Sequence, residues 1–129
     1  VGPMSILEPG GTVIIASECS EGMGSPEFIS AQNMLCKYGS DKFMEMLRGR
    51  SEALIDEWQT EMLLKPLRHG AVKLFTTNLS VEQLAQTYVE HAASLEEAII
   101  ASVSMQADND VAVIPEGPYV IPHYKGNVR

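Results

Sequence analysis

The sequence predicts a three-layer α/β sandwich, a mostly parallel sheet of about four strands flanked by helices. Three observations lead there. Four strand-like segments are separated by helical ones, the order of right-handed βαβ units. The first of them, Thr12-Val13-Ile14-Ile15-Ala16-Ser17, is β-branched and apolar on both faces, as a central parallel strand should be. The 129 residues are 45% hydrophobic, enough to fill one core without a disulfide framework or a structural metal.

Taken in order, Glu8-Pro9-Gly10-Gly11 is turn chemistry, because proline presets φ and the glycines supply positive φ. After the strand Thr12–Ser17 comes the segment Glu18-Cys19-Ser20-Glu21-Gly22-Met23-Gly24. Ser25 then caps a helix, with Pro26 at its first position and Glu27 facing the positive end of the dipole. Phe28, Ala31, Met34 and Leu35 recur at helical spacing until Gly39 ends that helix. Ser40-Asp41 starts another, with Phe43, Met46 and Leu47 on one face and Gly49 as its stop. Ser51 opens a third helix whose buried stripe is Leu54, Ile55, Trp58 and Met62, and Pro66 to Gly70 mark its end.

Val72–Thr76 reads as the second strand. Ser80-Val81-Glu82-Gln83 is a capping box that opens a short helix through Thr87. Tyr88–Ala93 is a short third strand, and Ser94-Leu95-Glu96-Glu97 is a second capping box, opening a helix to Gln106. Asp108-Asn109-Asp110 turns the chain into Val111–Ile114, the fourth strand. The proline-bearing tail from Pro115 to Arg129 reads as an irregular arm.

Composition excludes several functions. Nine basic against seventeen acidic residues leave a net charge of −8, with no Lys/Arg run, so there is no footprint for nucleic acid or for an anionic membrane surface. The longest apolar runs are four residues, far short of the roughly 20 that span a bilayer, and no signal segment opens the chain. Cys19 and Cys36 match neither a CxxC pair nor a zinc pattern, which suits reduced thiols in a cytoplasmic protein. The opening Val1-Gly2-Pro3-Met4, leading at once into a turn, suggests a piece of a longer chain.

The turn after the first strand holds the chemistry candidates. Gly22-Met23-Gly24 supplies two glycines of a dinucleotide fingerprint, but the third position is Glu27, and Glu18 and Glu21 place negative charge where a phosphate would approach. An anion at the Ser25 helix start is compatible with the pattern. Cys19 lies at the carboxyl end of a strand, the ligand edge of an open α/β sheet, yet a nucleophilic thiol needs a base. Neither His69, His91 nor His123 is tied to it, and their separations of 22 and 32 positions make no metal pattern, so Cys19 reads as a buried structural thiol and neither a catalytic residue nor a metal ligand is assigned. Glu18 and Glu21 are the one carboxylate pair at the ligand edge, and they read first as loop solvation and turn bracing. The sole tryptophan, Trp58, reads as core by its stripe, and the seven methionines as core filler.

Two resemblances compete. Leu7-Glu8-Pro9-Gly10-Gly11-Thr12-Val13-Ile14-Ile15 is similar to the LxPGGxLxI turn and strand of class I methyltransferases, but in those an antiparallel hairpin follows, and the fit ends after one strand. The second covers nearly the whole chain: PGGTVIIASECSEGMGSPEF, then Asp56-Glu57-Trp58-Gln59 leading to a strand near Val72, then His91-Ala92-Ala93-Ser94-Leu95-Glu96-Glu97-Ala98, and finally Val113-Ile114-Pro115-Glu116-Gly117-Pro118. This resembles the C-terminal domain of the nickel-pincer-nucleotide lactate racemase family. The resemblance implies that residues 1–129 are a single α/β domain, the C-terminal part of a two-domain 2-hydroxy-acid racemase or epimerase working by hydride transfer.

It also implies that the cofactor and the catalytic histidines and lysine belong to a larger N-terminal domain, the partner of this one. None of those roles carries over to His69, His91, His123 or any lysine here, and no cofactor is expected in this domain alone. Trp58 resembles a tryptophan lining the substrate side of the interdomain cleft, with Glu18, Glu21, Gly22, Gly24 and Ser25 on the same wall. The remaining readings are a non-catalytic α/β binding module and a methyltransferase fragment, the latter favoured by binding of S-adenosylmethionine.

Overall fold

The computed structural model describes residues 2–106 and 109–125. Strands β1 (Thr12–Ala16), β2 (Ala71–Phe75) and β3 (Glu90–His91) form one sheet in the order β1-β2-β3, and both pairings are parallel. Thr12 faces Ala71 and Ala16 faces Phe75, so the first two strands are in register over their full length. Helices α1 (Pro26–Arg48) and α2 (Glu57–His69) connect β1 to β2, α3 (Val81–Gln86) connects β2 to β3, and α4 (Leu95–Gln106) follows. The class is the expected one, a parallel sheet flanked by helices.

Local signals account for most of the element ends. Ser25 accepts from Phe28 N at 3.0 Å and starts α1 with Pro26 in the first turn. Gly39, at φ 77 and ψ 168, kinks α1 and divides it into two helical segments, a conformation open to glycine. Ser80 and Gln83 form the reciprocal capping box of α3. The Ser94 hydroxyl accepts from Glu97 N at 3.2 Å at the start of α4.

Three expectations change. Helix α2 begins at Glu57 rather than at Ser51, and its buried face is Glu57, Thr60, Leu64 and Pro66. Leu54, Ile55 and Trp58 are 58%, 73% and 62% exposed, so they are not the core stripe. The cause is the Glu57 carboxylate, which is buried and accepts from Arg50 Nη1 and, at 2.8 Å, from Leu54 N; satisfying it folds residues 51–56 into a loop. A start at Glu57 turns Trp58, one residue and about 100° further round the helix, out of the core.

Second, among the described residues the sheet holds three strands rather than about four. Val111–Ile114 makes no ladder, and Val111 and Val113 are exposed. β-branched composition fits a strand, but pairing needs an available edge, and β3 offers only two residues while α4 packs beside β1. Asp108, part of the expected turn before it, lies outside the described residues. Third, the expected third strand Tyr88–Ala93 shrinks to Glu90–His91.

The core sits beside the sheet, between α1 and α2. Leu35, Phe43 and Leu64 are its buried centre, with Met34, Met44, Leu47, Leu67 and Tyr88 packed against them. Two methionines thus serve as filler, whereas Met105 is exposed. From Pro115 to Lys125 the tail is irregular apart from a short 3-10 turn at Gly117–Tyr119, and Ser5 Oγ donates to Pro122 O at 2.9 Å, tying it to the start of the chain.

Candidate functional site

The turn from β1 into α1 lies at the carboxyl edge of the sheet, where parallel strands present their loops. Its backbone is unusual: Cys19 has φ 50, Gly22 φ 72 and Gly24 φ 101. Gly22 N donates to Cys19 O at 2.9 Å and closes the first bend. A Cβ placed at Gly22 would meet Gln83 Nε2 at 3.5 Å, an ordinary contact, so the restriction there is conformational. Gly22→Val is therefore expected to destabilise the domain by about 1–2 kcal/mol, since a β-branched residue is strained at positive φ. Thermal unfolding checks this, and an unchanged melting temperature would mean that the turn relaxes without cost.

The turn is held from two sides. The Glu18 carbonyl accepts from Thr76 Oγ1 at 3.2 Å and Asn78 Nδ2 at 2.8 Å, which ties it to the loop after β2. Thus the main chain of Glu18, not its carboxylate, braces the turn, while the Glu18 and Glu21 side chains are exposed. On the other side, Ser25 Oγ donates to Asp56 Oδ2 at 2.5 Å, and Gln59 Nε2 donates to Asp56 Oδ1 at 2.9 Å. The negative group at the start of α1 is therefore the protein's own Asp56.

This bridge joins the sequence-identified positions. Glu18, Glu21, Gly22, Gly24 and Ser25 share the β1–α1 turn, and Ser25 reaches the residue two places before Trp58. The exposed indole of Trp58 lines a hollow of about 240 Å³ with Leu47, Arg50, Glu52, Ala53 and Glu61 among its walls. Sequence reasoning missed Asp56, Thr76 and Asn78 as parts of this arrangement. The latter two follow a parallel strand adjacent to β1, so the strand-end rule could have found them; Asp56 carries no comparable signal.

The thiols and imidazoles stand apart from one another. Cys19 is half-buried rather than buried, and its Sγ donates to Ser17 Oγ at 3.5 Å. Partial burial pushes the Cys36 thiol up from its ordinary value, against a smaller opposing pull from the Tyr88 backbone. His69 Nε2 lies 2.9 Å from Leu7 O at the opposite, amino-terminal end of the strands, His91 is on β3, and His123 is in the tail. Among the described residues no group of three or more His, Cys, Asp or Glu could hold a metal ion. The donors among the described residues thus do not make up a metal site, and no chemical step through a metal is assigned to them.

The chain is thus a parallel α/β domain whose strand-end turn is tied through Ser25 and Asp56 to the start of α2, where Trp58 is exposed. A family model described as the lactate racemase C-terminal domain matches residues 4–122, and the chain belongs to that family. It is 33% identical over 118 residues to a lactate racemase from Thermoanaerobacterium thermosaccharolyticum, an alignment covering 90% of this chain and 28% of that protein. The solved structure of the lactate racemase apoprotein from the same organism is similar with a TM-score of 0.59 and 28% identity, covering 76% of this chain and 24% of that one. The chain therefore spans about a quarter of the relative's length. Among the described residues both strand pairings are parallel, unlike the antiparallel hairpin of a methyltransferase end. No helix among the described residues is long and apolar enough to cross a membrane.

Proposed function

We infer that this domain forms one wall of the substrate cleft in a lactate racemase-like enzyme of the cytoplasm, joined to an N-terminal domain that carries the catalytic groups. The reaction is racemisation or epimerisation of a small 2-hydroxy acid. A nickel-pincer nucleotide held mainly by the N-terminal domain supplies the hydride chemistry. The observation that carries this reading is the Ser25–Asp56 hydrogen bond, which ties the strand-end turn to the start of α2, where Trp58 is exposed.

The chemistry of the wall suits a supporting role. A 2-hydroxy acid is an anion, and the exposed carboxylates of Glu18 and Glu21 repel it, so neither of them is assigned a contact to its carboxylate. The Trp58 indole offers an apolar face that excludes water from a bound substrate. In the intact two-domain protein, Trp58→Ala is expected to lower kcat/KM for lactate racemisation by about 10- to 100-fold, the scale of a lost positioning contact, with the fold retained. The isolated 129-residue domain is expected to be inactive. Racemisation of lactate by that domain alone, or full activity in Trp58→Ala, would sink the reading.

A further inference from the structure

Asp56 occupies the N-cap position of α2 without acting as its cap. Its side chain makes no hydrogen bond to the helix backbone, the ordinary use of an aspartate there. Its own backbone is left-handed, at φ 64 and ψ −2, so the residue before the helix is not itself helical. The carboxylate instead accepts from Ser25 Oγ at 2.5 Å on one side and from Gln59 Nε2 at 2.9 Å on the other. Ser25 is used twice, because its hydroxyl also accepts from Phe28 N at 3.0 Å. One carboxylate thus stands at the N-terminal ends of two helices, where both dipoles favour negative charge.

We propose that Asp56 is a positioning residue: by holding Ser25 and Gln59 together it fixes the first turn of α2, and with it the indole of Trp58, against the β1–α1 turn. The role of that indole in catalysis rests on the cleft-wall reading above. A second anchor, the Arg50–Glu57 ion pair, holds the buried side of the same turn. Asp56 holds the side that faces the strand-end loop.

The test uses the intact protein labelled with 5-fluorotryptophan, in which the Trp58 resonance is the one lost in Trp58→Phe. Asp56→Gly keeps the left-handed backbone open to the chain while removing the carboxylate. It is expected to move the Trp58 resonance and to raise the KM for lactate about tenfold, with a smaller change in kcat, as a misplaced binding group does. Asp56→Asn, which tolerates the same backbone and still accepts from Ser25, is expected to restore both. Ser25→Gly, a competent cap that lacks the donor, is expected to move the same resonance. An unmoved resonance in Asp56→Gly and Ser25→Gly overturns the proposal. A moved resonance with racemisation unaltered in both Asp56→Gly and Trp58→Phe upholds the positioning and removes the cleft-wall reading instead.

Discussion

Gly70→Ala is expected to lower the melting temperature by about 10 °C or more, equivalent to roughly 3 kcal/mol in a domain of this size. A Cβ at Gly70 would lie 2.0 Å from Gly11 O, 3.0 Å from Gly11 C and 3.2 Å from Gly11 N. All three are backbone atoms, so no flexible side chain can yield. The φ of Gly70 is −169, an extended value open to any residue, and the penalty is therefore steric. The contact lies where the Pro9-Gly10-Gly11 turn meets the junction of α2 and β2. Gly10 N donates to His69 O at 2.8 Å and Ala71 N donates to Gly11 O at 2.9 Å, and pushing Gly11 away breaks the start of the β1–β2 ladder. Gly10→Ala is the control: its φ is 82 but nothing lies within 4 Å of its added Cβ, so its cost is the smaller one of strain alone, about 1 kcal/mol. Circular dichroism melts of the two variants decide the matter. If they melt together, the close approach at Gly11 does not limit the fold.

Arg50→Ala is expected to cost about 2–3 kcal/mol in urea unfolding, because it leaves the Glu57 carboxylate without its charged partner. Glu57 is 5% exposed, whereas the Arg50 side chain is 31% exposed, so solvent screening keeps the loss below that of a fully buried pair. Leu54 N remains as a donor at 2.8 Å, which cannot neutralise the charge. The double variant Arg50→Ala/Glu57→Gln is expected to recover part of the loss, since it replaces an unpaired buried charge with a neutral amide. A double variant less stable than Arg50→Ala would show that the pair acts through packing, for instance of Arg50 against Met34, and not through charge.

Both variants act on contacts that local patterns do not reveal. Gly70 reads in the sequence as a helix stop, and nothing near it points to Gly11, 59 positions earlier, as the atom that forbids a side chain. Glu57 reads as one charge in a helical stretch, and its burial depends on Arg50 arriving across a loop. The same holds for the start of α2. Ser51 carries a legitimate capping signal, yet the burial of Glu57 overrides it, and Trp58 is turned outward as a result. Val111–Ile114 shows the limit from the other side, since strand-like residues remain unpaired where no edge is available to them.

Where one residue type settles the geometry, the sequence suffices. Ser25 with Pro26 starts α1, Gly39 breaks it, Ser80 with Gln83 caps α3, and short runs rich in β-branched and apolar residues place β1 and β2, because capping, positive φ and strand propensity act over four or five neighbouring residues. The family resemblance was legible on the same scale, in short motifs arranged in order. The site was legible only in part: Glu18 to Ser25 are neighbours in the chain, but their link to Trp58 runs through the Ser25–Asp56 hydrogen bond, whose partners are 31 residues apart. By itself the sequence determined the parallel α/β class and the turn at the sheet's carboxyl edge. Only the tertiary structure decided which face of α2 is buried, that Asp56 joins two helix starts and that Gly70 admits no side chain, because each depends on atoms that the fold brings together from distant parts of the chain.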